Sequence, residues 1–432
     1  MLRYLHFLRS LFSRYFFGFL QDYSFIDRSD LINLHHLVDS SSEHITRDFE
    51  CRFSKLIGSG QSVSFASGRM AFFSLLQALN VKSGDEVLLT GFTCSVMSNA
   101  ILRIGATPIY SDIDLISFGS DLESIKKNCS IKTKLIVIQH SFGIPCDVQP
   151  IANFASQNNI FLLEDCALTV GSSIDGIVCG NFGDAALFST DHTKPISTLT
   201  GGLIYSSNLT LISKVRDIQQ SSPELSSQKK NALYRQLLKE SRFCNIHFYS
   251  WFKFYSIVKH KFFPNTNPFL VNDFSPYSHS QYPYPAKMPS FLAALGILYL
   301  NHWPKLVVQR KANLKLLLSE LKKVWPNSFL IYSDPRLDII PLRLVFCSDN
   351  GVLARNKISS FVDVSYFWFL KPIVATNFPL KQFHYIEGSC VNSEMIGRKI
   401  INIPCIFSHV ETQLLLKLIL NKFKSGADND SH

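Results

Sequence analysis

An α/β fold with a mainly parallel sheet, joined to a smaller C-terminal α+β domain, follows from three features of the sequence. From about Ser62, short apolar runs alternate with amphipathic ones, the rhythm of strand–helix–strand units. With 46% hydrophobic and 18% charged residues over 432 positions, the chain has material for a large buried core rather than for disorder. Beyond Ser221 the rhythm breaks, and the tail from about Phe329 to Phe423 mixes short strands with one last helix.

The elements read off in order. "SVSFASGRMAFFSLLQALN" is a short strand, a Ser-Gly turn and an apolar-faced helix. "DEVLLTGFTCSVMSNAILRIG" is a strand, a turn and a helix, and "ATPIYSDID" a further strand. "TKLIVIQHSFGIPCDVQPIANFASQNN" gives strand, loop and helix. "IFLLEDCALTVG" is a strand that ends in acids. "GDAALFSTDHTK" and "GGLIYSSN" are two short strands around a lysine-bearing loop. The stretch "MPSFLAALGILYLNHWPKLVVQRKANLKLLLSELKKVWP" reads as a long helix broken at Pro304, because proline lacks the donor that the helix interior needs. Four segments result: a basic arm over 1–45, the sheet domain over 46–220, an insertion over 221–286, and a helix plus small domain over 287–432.

Formal charge is +10, an excess that points to an anionic partner. Much of it lies in the insertion's stretch "QKKNALYRQLLKESRFCNIHFYSWFKFYSIVKHKFFP", where Lys229, Lys230, Arg235, Lys239, Arg242, Lys253, Lys259 and Lys261 face only Glu240. Aromatics interleave with these lysines. The pattern suits packing on the core or on a second subunit, or contact with a membrane surface; no nucleic-acid partner is expected. The start, "MLRYLHFLRSLFSRYFFGFLQDYSF", places Arg3, Arg9 and Arg14 on one helical face and Leu5, Leu8, Leu11, Phe12 and Phe16 mostly on the other. Its arginines leave no apolar run long enough to span a bilayer, and no secretory h-region stands out. Ten cysteines without a CxxC pair or a Cys/His metal spacing read as reduced thiols, so a cytoplasmic protein without a metal site is expected.

Certain residues carry chemistry. Asp165 ends the strand "IFLLED", where the carboxyl edge of a parallel sheet gathers ligands. Lys194 follows in a Ser/Thr-rich loop, and Ser189 precedes it by five residues. Ser67, Gly68 and Arg69 lie where a strand turns into a helix, a place suited to cradling a phosphate. A lysine amine, a strand-end carboxylate and a phosphate cradle are what an enzyme using pyridoxal 5'-phosphate (PLP) needs.

In this order the motifs resemble the DegT/DnrJ/StrS family of PLP-dependent sugar aminotransferases, of the aspartate aminotransferase superfamily (fold type I), from about Phe65 to Phe423. "SGRMAFFSLLQALNVKSGDEVLLTGFTCSVMSNAILRIGATPIYSDID" resembles its first block. "VIQHSFGIPCDVQPI" resembles its His-x-x-Gly loop, with His140 and Gly143 matching. "LLEDCALTVGSS" and "GNFGDAALFSTDHTKPISTLTGG" resemble its acidic and lysine blocks.

The resemblance implies that Lys194 holds the cofactor covalently and shuttles protons, that Asp165 pairs with the pyridine nitrogen, and that Ser189, Ser67, Gly68 and the Arg69 amide hold the phosphate. Cys94, Leu168 and His140 fall at further cofactor-side positions. It also implies a homodimer, an amino-acid donor, usually glutamate, and a keto-sugar acceptor, usually nucleotide-linked, bound for surface polysaccharide or lipopolysaccharide. Departures stand beside the matches. The family has Thr at Arg69, a ring-stacking aromatic at Cys94, and Gln or His at Leu168. That leaves Phe92 or Phe142 to cover the ring, and Lys287 or Tyr284 to replace an Asn expected from the dimer mate near Pro285. These departures frame the alternative: a non-catalytic or differently reacting relative that docks on membrane or a partner through its basic insertion.

Overall fold

The computed structural model describes residues 13–21, 23–262, 268–270 and 282–424. Its central sheet is built from β1 (Gln61–Phe65), β2 (Glu86–Thr90), β3 (Thr107–Ser111), β4 (Thr133–Gln139), β5 (Phe161–Asp165), β6 (Ala185–Ser189) and β7 (Gly202–Ser206), in the order β1-β7-β6-β5-β4-β2-β3. The contacts β2–β3, β2–β4, β4–β5 and β5–β6 are parallel, and β7 runs antiparallel to both neighbours. Leu135, Ile136, Val137 and Ile138 of β4 are all buried, the near-continuous apolar run of a strand covered on both faces.

The helices around this sheet are α1 (Glu43–Ile57), α2 (Gly68–Ala78), α3 (Ser95–Arg103), α4 (Val148–Gln157) and α5 (Leu209–Ser221). The insertion supplies α6 (Ser227–Phe243) and α7 (Tyr249–Phe262), followed by α8 (Ser290–Leu321) and, at the end, α9 (His409–Lys424). The small domain adds the antiparallel pair β8 (Arg343–Cys347) and β9 (Ile400–Pro404). The α/β reading with a smaller α+β domain therefore holds.

Three details differ from the sequence reading. Pro304 lies inside α8, which continues for 32 residues. Leu292, Leu295 and Tyr299 of its first half belong to the hydrophobic cluster of the sheet domain, and Leu314, Leu317 and Leu321 of its second half to that of the small domain. Burial of both halves outweighs the single hydrogen bond that proline forgoes. The arm is the second difference. Residues 1–12 lie outside the described residues, and from Ser13 the chain is not helical but runs as a strap until the helix Arg28–His36. Phe17 is fully buried; its N–H donates to the Phe361 carbonyl, and its carbonyl accepts from the Asp363 N–H. The strap stitches the N-terminal segment to the small domain. Also, α1 begins at Glu43, so helical structure crosses the boundary drawn at 46.

The two insertion helices, α6 and α7, are anchored on one side. Leu233 and Leu237 are buried in the sheet-domain core, and the Tyr249 hydroxyl donates to Asp363 Oδ2 at 2.9 Å. Lys253 is ion-paired with the same aspartate.

Candidate active site

Register brings three distant segments together at one edge of the sheet. Phe65, the end of β1, pairs with Gly202, the start of β7, and Gly202 pairs on its other side with Ser189, the end of β6. A Cβ on Gly202 would lie 2.2 Å from Gly68 Cα, and a Cβ on Gly68 would lie 3.2 Å from both Cβ and Oγ of Ser189. The Gly68–Gly202 approach thus has room for hydrogen alone. Ser67 is the N-cap of α2, its Oγ accepting from the Met70 N–H at 3.4 Å. The first-turn amides of α2 have no partner within the helix. With the Ser189 hydroxyl beside them, they form a cradle for an anion at a helix N-terminus. The Arg69 guanidinium donates to the Leu270 carbonyl, and the Arg69 carbonyl accepts from the Tyr284 hydroxyl at 3.2 Å.

Asp165 is the last residue of β5, opposite Gln139 of β4 and Leu187 of β6. It is buried, and its Oδ1 accepts from the Ala167 N–H at 2.9 Å. Burial pushes its pKa up; the Ala167 amide and the Lys194 charge pull it back.

Lys194 sits in a braced loop. The Thr190 and Thr198 hydroxyls meet at 2.6 Å across the loop base, and the Thr198 N–H donates to the Thr190 carbonyl at 2.8 Å. Arg310 of α8 reaches in and donates to the Pro195 carbonyl at 2.8 Å. Leu199, at φ +66°, takes a backbone conformation that bulky residues seldom adopt, and these bonds hold it there. The Lys194 Nζ lies 4.6 Å from the centroid of the Trp368 ring. Burial lowers the lysine pKa against the opposing charges of Asp191, Cys94 and Asp165, which favours the neutral, nucleophilic amine.

The remaining candidates fall in distinct surroundings. Cys94 is the N-cap of α3 and is paired in parallel with Val374 through a two-residue bridge. Burial raises its thiol pKa; the Val96 amide, Lys194 and Arg69 oppose that, so it is near the lysine yet held as the thiol. Leu168 is buried in one cluster with Phe92, Phe142 and Phe369. Phe92 stacks on Phe369 at 4.8 Å, and Phe142 meets the same ring edge-on at 5.3 Å. Both expected ring covers are thereby committed to Phe369.

His140 is fully buried with both ring nitrogens engaged by the protein: Nδ1 accepts from the Cys146 N–H at 3.1 Å, and Nε2 faces Glu164 Oε2 at 3.0 Å. Its backbone N–H donates to the Asp165 carbonyl at 3.2 Å, so it steadies the strand end. His140, Glu164 and Cys166 converge within 4.8 Å, but Glu164 already accepts from the Gly180, Phe182 and Gly183 amides at 2.7 Å each. That network is structural. Lys287 bridges backbone-to-backbone with Phe65.

Trp368 and Arg343 were not foreseen. Arg343 is buried with its Cζ 3.4 Å from the Trp368 centroid, and its charge helps to lower the Lys194 pKa. Both lie in the small domain, far along the chain from the lysine. The only sequence signal was the aromatic density of "SYFWFL".

Fold and site together define a class: an α/β protein that offers a low-pKa lysine, a buried carboxylate and an anion cradle at one edge of a mixed sheet. The chain belongs to the DegT/DnrJ/EryC1/StrS aminotransferase family, whose profile matches residues 38–247 and 266–414. It is similar to a GDP-perosamine synthase of Vibrio cholerae, 30% identical over 177 residues, or 41% of this chain and 48% of that protein. It is also similar to a dTDP-4-dehydro-2,3,6-trideoxy-D-glucose 4-aminotransferase of Saccharopolyspora spinosa, 34% identical over 173 residues, or 40% of this chain and 45% of that protein. The matched stretch thus spans about half the length of these curated relatives. Among solved structures, an aminotransferase from Psychrobacter cryohalolentis superposes with a TM-score of 0.70 at 19% identity, covering 93% of this chain and 98% of that one. A DegT/DnrJ/EryC1/StrS aminotransferase from Brucella abortus gives 0.67 at 15%, covering 91% and 94%. These two likenesses establish the fold.

Proposed function

We propose that this protein is a PLP-dependent aminotransferase that moves an amino group from an amino acid, with glutamate the expected donor, to a keto sugar destined for surface polysaccharide or lipopolysaccharide. One observation carries the reading. The strand register sets the Gly68–Gly202–Ser189 cradle, Asp165 and the Lys194 loop on one edge of one sheet. The residues present fit the cofactor. The first-turn amides of α2 and the Ser189 hydroxyl would hold a phosphate, and the bare Gly202 lets the start of α2 come that close to the sheet. Asp165 offers a carboxylate to a ring nitrogen, and Lys194 an amine to an aldehyde. PLP when bound supplies an electron sink and a temporary carrier for the amino group. Lys194 would also hold and return the proton moved at the substrate carbon, beside the buried Asp165 carboxylate.

The test is a half-reaction. PLP-loaded protein is mixed with glutamate, and the released cofactor is weighed by mass spectrometry. The proposal expects pyridoxamine phosphate and a stoichiometric amount of 2-oxoglutarate. Unchanged PLP with every proteinogenic donor would contradict it.

Assembly and location form part of the same proposal: a homodimer in the cytoplasm with peripheral contact at the inner face of the membrane. Trp251, Tyr255, Val258 and Phe262 of α7, with Phe248 just before it, recur at three- and four-residue steps, each at least 36% exposed, and the net positive charge of this segment complements anionic lipid. Sedimentation with vesicles of phosphatidylglycerol and phosphatidylethanolamine should capture the protein and release it in high salt. Equal recovery in the supernatant with and without vesicles would remove the membrane contact and leave the enzymatic reading intact.

A further inference from the structure

A cleft of about 260 Å³ lies where the insertion meets the lysine loop and the small domain, and Lys239, Lys259, His192, Glu240, Tyr255 and Phe269 are among its lining residues. Three kinds of group converge there. Lys239 and Lys259 are close enough for the Lys259 charge to help burial lower the Lys239 pKa, and neither has an ion-pair partner among the described residues. The Glu240 carboxylate is buried and half used: Oε1 accepts from His192 Nδ1 and from Gln236 Nε2, each at 2.9 Å, while Oε2 has no hydrogen-bond partner among the described residues. Aromatic faces complete the lining, with the Phe269 ring 4.5 Å from the imidazole of His192.

Each group selects a ligand feature. Two ammonium groups lining one cleft, one of them over the Tyr255 ring, repel one another and gain from a shared phosphate. A buried carboxylate oxygen without a donor wants a hydroxyl. Aromatic faces suit the apolar side of a sugar ring. A volume of 260 Å³ falls just below the roughly 300–1,000 Å³ of sites that enclose drug-sized ligands, so it admits a monosaccharide with its phosphate and leaves a larger carrier outside. The cleft also adjoins the reactive lysine. His192 is two residues from Lys194 and within range of its charge, and Tyr366, which lines the cleft, accepts at its carbonyl from Arg343 Nη1 at 2.6 Å.

We propose that this insertion-built cleft is a subsite for a phosphorylated sugar, with the phosphate on Lys239 and Lys259, a sugar hydroxyl on Glu240 Oε2, and the ring against Phe269 and Tyr255. Calling the ligand the amino acceptor rests on the function proposed above; the binding itself does not.

The experiment keeps the two apart by using the full-length Lys194→Ala protein without PLP. Glucose, mannose and galactose 1-phosphates, the free hexoses and inorganic phosphate are titrated by calorimetry. At least one hexose 1-phosphate should bind, at least tenfold more tightly than its free hexose. Lys239→Ala/Lys259→Ala, at two half-buried positions outside the core, should weaken that binding at least tenfold with an unchanged melting temperature. Glu240→Gln should weaken the sugar phosphate and spare inorganic phosphate. Two further arms, UDP-glucose and farnesyl diphosphoglucose, identify the carrier: whichever binds more tightly than glucose 1-phosphate marks it as nucleotide or lipid, and either supports the subsite. Failure of all three hexose phosphates to bind, or binding that the double lysine variant leaves unchanged, overturns it.

Discussion

The sheet edge and the insertion are built by opposite means, although both adjoin the Lys194 loop. At the sheet edge, backbone register does the positioning: Gly68, Gly202, Ser189 and Asp165 are where they are because strands pair in one way. At the insertion, side chains on two helices do it, and the groups that meet, His192 with Glu240 and Lys239 with Lys259, come from separate elements held by an anchor such as Tyr249 on Asp363. A register-built site tolerates little change and suits chemistry common to many substrates. A helix-built site can be altered one residue at a time, and suits selection among substrates.

Substitutions break this comparison in graded fashion. Lys194→Ala removes the reactive amine and should lower turnover by roughly 10²–10⁴-fold or more, while a melting curve near that of the parent shows that the loop stands on its threonines. Asp165→Asn keeps the shape and the Ala167 contact but loses the charge. A fall of about 10²-fold in turnover is expected with cofactor still bound, measured as kcat beside the retained PLP stoichiometry. Gly202→Ala puts a methyl group into the Gly68 backbone. Overpacking of this kind costs about 1–3 kcal/mol, and thermal unfolding with and without PLP should show both a lower Tm and a smaller stabilisation by the cofactor.

The smallest effect belongs to the insertion side. Burial by itself would lower the His192 pKa; the Glu240 and Asp191 charges outweigh it and hold the imidazole at about 9, against 6.5 for an ordinary histidine. A raised folded-state value means that the stabilisation is fully present below pH 6.5 and is lost as pH rises through about 9, with an amplitude on the order of 3 kcal/mol. Urea titrations between pH 6 and 10 should show that decline, and His192→Gln should flatten it. A parent curve that is itself flat would detach His192 from Glu240.

What the sequence disclosed follows the same division. Asp165 and Lys194 stood out as candidates because each carries a local signature, an acid at a strand end and a lysine in a hydroxyl-rich loop. The alternation of runs gave the sheet. The contact of Gly202 with Gly68 was hidden, since it depends on β7 running antiparallel between β1 and β6. Trp368 and Arg343 were hidden for a related reason: they reach Lys194 only through the packing of the small domain. His140 was expected at the cofactor, but a neighbouring carboxylate and an amide occupy both its nitrogens. Pro304 carried a true local signal for a helix break that burial at both ends of α8 overrode.

The central claim is that Lys194 carries the cofactor. Borohydride reduction of the PLP-loaded protein, followed by peptide mass mapping, tests it most directly. A phosphopyridoxyl group on the peptide containing Lys194 is expected, with its loss in Lys194→Ala. A folded protein that is labelled on another lysine, or not at all, would contradict it.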